Sequence, residues 1–359
     1  MILNNCFSQD WILHHQKELK AADPQILEKC IHALALLGHL SETGLPFVFK
    51  GGTSLLLHLP AIRRLSIDID IVCNAPPADV YSAVQKIATL PPFTGFSEDS
   101  RGERGLPNRR HFRLNYSPVF GGQPASHILL DVVEDSCSLA TERKPVSTAF
   151  LETDQPALVT TLTADSLIAD KLTAFAPHTS GVPYANPNGT GQTLQVAKQM
   201  FDIGELFTIA TDAAAITTAY NVSIVKEAEY RDNRFTRDDA LNDTITTCFQ
   251  FCGQGLRAFP ENEDAMQLGL GCKALSNHLV NNSFPIATEA KIAAAKAACL
   301  SGLILSNGSR GFDSLQYIPE ESMQLREKSL TGRWAPLARL KSANVEAFHY
   351  WCMTEELVG

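Results

Sequence analysis

The sequence predicts an α+β protein: a small mixed sheet with flanking helices over residues 1–150, then a helical module over 151–359. Three observations lead there. Ser66-Ile-Asp-Ile-Asp-Ile-Val72 alternates strictly, as a half-buried strand does. Pro46-Phe-Val-Phe-Lys50 is a short apolar run cut off by Gly51-Gly52. Beyond residue 150 the apolar spacing turns helical throughout. A chain of 359 residues also exceeds the ~100–200 of an ordinary domain, which favours two.

In chain order, residues 8–19 and 24–43 read as helices. In the second, Ile26, Leu27, Cys30, Leu34, Leu37 and Leu40 recur at helical spacing, and Asp23-Pro24 supplies an N-cap followed by proline at the first helical position. Residues 53–59 read as a compact helix ended by Pro60. A helix over 77–90 follows, then strands at 110–116 and 127–133 joined by a turn at Gly121-Gly122. Further helices are expected at 163–175, 194–210, 212–230, 237–252 and 287–304. The breaker-rich stretch Pro177–Gly191 is either a mobile functional loop or an insertion.

Composition narrows the function classes. At 45% hydrophobic residues the chain is not disordered, and its 22 Gly and 19 Pro show no collagen-like period. With 39 acidic against 30 basic residues, the net charge of −9 argues against a nucleic-acid coat working by bulk positive charge. Nine scattered cysteines without a C-x-x-C read as buried, reduced thiols. Cys248 and Cys252 lie a helical turn apart but have no His or second Cys pair to complete a zinc set. No signal peptide and no membrane-spanning run are evident, so a cytoplasmic location is expected.

The chemistry concentrates in Phe49-Lys-Gly-Gly-Thr-Ser-Leu55 and Arg63-Arg-Leu-Ser-Ile-Asp-Ile-Asp70. Paired glycines between strand and helix let backbone N–H groups approach a phosphate closely, at Gly51, Gly52, Thr53 and Ser54. Asp68 and Asp70, two apart on a strand, share a face, and such like charges call for a hard divalent cation between them. Asp131, in Leu129-Leu-Asp-Val-Val133, adds a third carboxylate from a neighbouring strand. Three carboxylates beside a phosphate cradle suit metal-assisted nucleotidyl transfer, one of them drawing the acceptor's proton. Ser66 shares the Asp face, or bonds local backbone. Arg64 holds a phosphate or pairs with an acid. His58 and His111 lie nearest these motifs but have no Ser or Cys partner at a recognisable spacing, so neither is given a catalytic role.

Lys50-Gly-Gly-Thr-Ser-Leu55 followed by Arg64-Leu-Ser-Ile-Asp-Ile-Asp70 resembles the AbiEii/AbiGii group of nucleotidyltransferases, toxins of toxin–antitoxin and abortive-infection systems. The resemblance extends to Asp131, to Asp170-Lys171 in Ala169-Asp-Lys-Leu-Thr-Ala174, and to Lys198-Gln-Met-Phe-Asp202, with Gln199 where relatives often carry an acid. It implies a polymerase β-like nucleotidyltransferase core and Mg2+ dependence, with two ions expected and Mn2+ an alternative. Asp68, Asp70 and Asp131 would be metal ligands. Lys171 would bind the nucleotide triphosphate and Asp202 would position Lys171 or the nucleotide. It further implies an NTP substrate, a tRNA acceptor end and a cognate antitoxin. Two other readings stay open: transfer to a small molecule (as in antibiotic-modifying enzymes) or a protein, and an inactive binding module. Residues 101–113 and 326–341 each sum to +4 within an otherwise strongly acidic chain. With Trp334 in the second, they are candidates for an RNA-gripping surface or for phosphate contacts.

Overall fold

Alternating burial along Ile69–Val72 (β2) and Ser126–Val133 (β5) presses one face of each strand into a core and leaves the other half-open. Five more strands join them: Val48–Lys50 (β1), Phe93–Asp99 (β3), Arg109–Tyr116 (β4), Thr141–Pro145 (β6) and Leu158–Leu162 (β7). The sheet order is β3-β4-β5-β2-β1-β7-β6, mixed in direction, with β2–β5 and β1–β7 parallel and the other pairs antiparallel. The computed structural model describes residues 1–20, 23–99, 108–257 and 259–359. They divide into one unit of Met1–Thr163 with His278–Ser283, and a second of Ala164–Asn277 with Phe284–Gly359. The architecture is the expected α+β.

Phe49, Ile71, Val132, Ile69, Leu130 and Phe112 are fully buried on one side of the sheet. Helices α1 (Gln9–Leu19), α2 (Pro24–Ser41), α3 (Leu55–His58) and α4 (Pro77–Ile87) complete the first unit. Helix α2 begins as its sequence predicts, with the Asp23 carboxylate accepting the Gln25 N–H at 2.8 Å ahead of Pro24. It buries Leu27, Cys30, Ile31, Leu34, Leu37 and Leu40 against the sheet. Side chains of this kind stabilise by about 1.5–3 kcal/mol each on full burial.

Several elements differ from expectation. The strand expected from Ser66 begins at Ile69, because the residues before it have other partners. The Asp68 carbonyl accepts the Thr53 hydroxyl at 2.5 Å, Arg64 bridges to Leu279, and the Arg63 carbonyl accepts the Val280 N–H at 2.9 Å. Helix α3 covers only Leu55–His58 of the expected 53–59. Strands β3, β6 and β7 were not expected. Because β7 pairs with β1, the sheet unit runs to Thr163 rather than 150.

The second unit is helical: α5 (Ala164–Ala174), α6 (Thr193–Leu206), α7 (Ala213–Glu229), α8 (Arg237–Gly253), α9 (Glu263–Ser276), α10 (Lys291–Leu305) and a C-terminal helix, Val345–Val358. Helix α10 is apolar nearly all round and sits between α8 and the C-terminal helix, as such a helix must. The stretch Pro177–Gly191 is tied down at both ends. Asp243 on α8 accepts the His178 N–H and the Thr179 hydroxyl, both at 2.8 Å, and Ala185 bridges to Gly191. Eight of the nine cysteines are buried and all are free thiols. Among the described residues no helix is long and apolar enough to cross a membrane.

Burial pushes two histidines of the first unit down to about 4: His32, stacked on Tyr116, and His58, beside Glu142. Both stay neutral in the fold while the unfolded chain protonates near 6.5, so their contribution is complete above pH 6.5 and is lost as pH falls toward 4. Melting temperature should therefore drop between pH 6.5 and 5, and H32Q/H58Q should flatten that limb. Parallel profiles for wild type and the double variant would contradict this.

Candidate active site

Register assembles the site. Lys50 on β1 pairs with Asp70 on β2, Asp70 with Asp131 on β5, and Asp131 with His111 on β4. Residues in register on neighbouring strands project from the same face, so these four form a row across the half-open side of the sheet. Asp131 and His111 are joined directly, Oδ1 to Nδ1, at 2.6 Å. Two carboxylates on adjacent strands repel unless cations or donors compensate, and oxygen-only donors suit a hard ion such as Mg2+.

The Gly51-Gly52 turn fits against this row. Gly51 has a φ of +80°, open to glycine at no cost, and a Cβ there would lie 2.7 Å from the Asp70 Cγ. A Cβ on Gly52 would lie 2.5 Å from an Arg64 guanidinium nitrogen and 3.1 Å from the Ser66 Oγ. Gly51 is thus required by its φ and by the acid packed on it, whereas at Gly52 the neighbour is the movable end of the Arg64 side chain. Thr53 and Ser54 turn their hydroxyls inward, Thr53 onto the Asp68 carbonyl and Ser54 onto the Gly51 carbonyl at 2.7 Å. Both residues are wholly buried, backbone included, so within 51–54 only Gly52 is partly exposed to a ligand.

In the second unit, Lys171 leaves the buried face of α5 and its Nζ lies 3.1 Å from the carboxylate of Asp202 on α6. Asp202 is wholly buried and Lys171 nearly so. The i, i+4 spacing from Lys198 is therefore not a complete account of Asp202. Two charges held in a low-dielectric interior demand each other.

Asp68, Asp70 and Asp131 do not converge so tightly that their ligand atoms all lie within 4.8 Å of one another. Among the described residues only His14, His15 and Glu18 do so. Those three belong to helix α1 and contact each other, at 3.4 Å for His14–Glu18 and 2.9 Å for His15–Glu18.

The basic stretches resolve unevenly. Arg101, Glu103 and Arg104 lie outside the described residues. Arg109 and Arg113 share the His111 face of β4, whereas Arg110 points the other way, bound to Glu98 at 2.7 Å and to the Pro77 carbonyl at 2.8 Å. Trp334 is no open stacking platform: it is buried against Phe249 and Trp351, with Arg333 over its ring at 4.2 Å. Lys328 pairs with Glu356 at 2.9 Å. His111, given no role from sequence, belongs to the site. The signal for it was present, because the Gly121-Gly122 turn lies midway between 111 and 131 and a hairpin folded there places them opposite.

The family model "Nucleotidyl transferase AbiEii toxin, Type IV TA system" matches residues 35–276, more than half the chain. No curated protein matches. Among solved structures, MenT4, a nucleotidyltransferase toxin from Mycobacterium tuberculosis H37Rv, superposes with a TM-score of 0.54 at 15% identity, over 98% of this chain and 99% of that one. JHP933 from Helicobacter pylori gives 0.42 at 13% identity, covering 83% of this chain and 97% of its own. A putative nucleotidyltransferase from H. pylori gives 0.41 at 12%, covering 81% and 99%. At that identity the MenT4 likeness speaks to the fold.

The buried pair makes a stability prediction. D202A, which strands the Lys171 ammonium, should destabilise by about 3–5 kcal/mol in chemical denaturation, and K171M/D202L should recover most of it. Equal losses in single and double variants would show that the pairing is not the cause.

Proposed function

Since the chain belongs to the AbiEii family of nucleotidyltransferase toxins of type IV toxin–antitoxin systems, we propose that it transfers an NMP from an NTP to the acceptor end of tRNA, with a cognate antitoxin restraining it. The observation that carries the reading is the in-register pair Asp70–Asp131 on adjacent parallel strands, with the Gly51-Gly52 turn packed onto Asp70. That arrangement offers a carboxylate pair and a glycine turn, partly exposed at Gly52, to a triphosphate at one place.

Asp68, Asp70 and Asp131 would hold Mg2+, two ions in the full arrangement, with Mn2+ able to use the same oxygen ligands. When bound, the metal neutralises charge on the triphosphate and makes the attacking hydroxyl more acidic. The remaining work falls to the chain. The glycine turn would bring backbone N–H to phosphate oxygens at Gly52, the partly exposed residue of 51–54, with Gly51, Thr53 and Ser54 shaping the turn behind it. Arg64, lying over Gly52, clamps those oxygens. Ser66, at the same turn, offers a hydroxyl. The acceptor hydroxyl oxygen bonds to the α-phosphorus as the bond to the β-phosphate bridging oxygen breaks, and pyrophosphate departs. The hydroxyl proton passes to water where Asp131 is a metal ligand, or to Asp131 where it is not. Lys171, paired with Asp202 in the second unit, is assigned to the triphosphate on the family resemblance. Arg109 and Arg113, on the acid-bearing side of the sheet, suit the backbone of an RNA end.

Purified protein incubated with total tRNA and each labelled NTP should label tRNA in Mg2+ and not in EDTA. D68A and D70A should each lower the rate at least a hundredfold while remaining folded. Labelling of a small molecule or a protein instead would move the acceptor to that class, and Mg2+-dependent NTP binding without turnover on any acceptor would favour an inactive module. G51A tests the turn separately: it should displace the Asp70 carboxylate and lower activity to a similar degree. Retained activity in G51A would refute the packing argument.

A further inference from the structure

We propose that His111 is a positioning residue for Asp131: it commits one carboxylate oxygen and thereby fixes which oxygen remains to bind metal. This deepens the carboxylate reading above and rests on it. His111 and Asp131 face each other in the β4–β5 register, with Nδ1 2.6 Å from Oδ1. An ionised carboxylate only accepts, so Nδ1 carries the proton in that bond. The His111 side chain is only 12% exposed, which leaves the ring little room to follow Asp131 if Asp131 swings away.

An aspartate on an open strand face has rotamer freedom that must be lost when it binds an ion. Tying Oδ1 to a fixed imidazole removes part of that freedom in advance and leaves Oδ2 as the outward donor, which makes Asp131 a one-oxygen ligand. It also relieves the crowding of Asp131 against Asp70, because a donor at the far end of the row draws charge away from its in-register neighbour. Partners that orient a ligand in this way are typically worth ~10–100-fold in metal affinity. Among the described residues the Nε2 of His111 is buried without a hydrogen-bond partner, and the ring's hydrogen bond there is to Asp131.

The experiment measures Mn2+ affinity by the loss of the free-ion EPR signal, with Mn2+ alone as the probe, in wild type, H111L, H111N, H111Q and D131A. Asparagine returns an N–H donor near the position of Nδ1, whereas glutamine carries its amide toward Nε2. H111L and H111Q should weaken Mn2+ binding about tenfold or more, and H111N should return it to within about threefold of wild type. Circular dichroism and melting temperature establish that each variant is folded. If H111L does not fold, the contrast between H111N and H111Q decides alone. Equal weakening in H111N and H111Q would overturn the proposal in favour of simple packing. Unchanged affinity in the His111 variants beside a weakened D131A would overturn it while leaving the carboxylate reading intact. Unchanged affinity in D131A would overturn both.

Discussion

The Asp70 carboxylate occupies the space that a side chain at position 51 would need. From that one steric fact much of the first unit follows. Strand β1 must end at Lys50, the chain must turn through a positive φ, and β2 must lie beside β1 so that Asp70 reaches the turn. The turn is then locked from within, by Thr53 onto the Asp68 carbonyl and Ser54 onto the Gly51 carbonyl. Arg64 closes it from the other side, on a segment held by Leu279 and Val280. Both hydroxyls of the turn are thus spent inside it, which stiffens the loop.

Holding Asp70 beside Asp131 carries an electrostatic cost, and the sheet meets it at both ends of the row. Lys50 stands in register with Asp70, and His111 donates to Asp131. The opposite face, with Phe49, Ile71 and Val132 fully buried, keeps the strands from slipping by one residue, which would turn every acid into the core. Lys171 and Asp202 solve the same kind of problem in the second unit, where burial is deeper and the pair is closed on itself.

What was legible in the sequence follows from which forces shape each element. Strands β2, β4 and β5 are half-buried, so their alternation shows. Strand β6 reads Thr-Glu-Arg-Lys-Pro and lies at the sheet edge, where charge and proline are favoured and no apolar pattern is needed. Strand β7 is five residues without punctuation, indistinguishable from the start of the helix that follows. Helix α9 contains Gly269 and Gly271, and the backbone of Thr193 packs where a Cβ on Gly271 would sit, so a residue that reads as a breaker serves close helix packing. The glycine turn, the acids and the Asp-Lys helix could be read because their chemistry is local. Arg64 over Gly52, and the attachment of His278–Ser283 to the first unit, could not, since tertiary pairing alone creates them.

The same alternation decides what the charge of the protein means. On β4, Arg110 faces one way and is neutralised by Glu98, while Arg109 and Arg113 face the other way with His111. Strand periodicity, and not composition, separates an arginine on the core face from arginines on the acid-bearing face. In salt of physiological strength an exposed charge is screened beyond roughly 8 Å. A polyanion approaching the acid-bearing face therefore responds to the few cations on that face far more than to the net −9 of the whole chain. By the same reasoning the stretch 326–341 is a weaker candidate, because Trp334 is buried and Lys328 already has a carboxylate partner. An acidic protein can thus present a locally cationic strand beside its own carboxylates, and the geometry of a single hairpin suffices to do it.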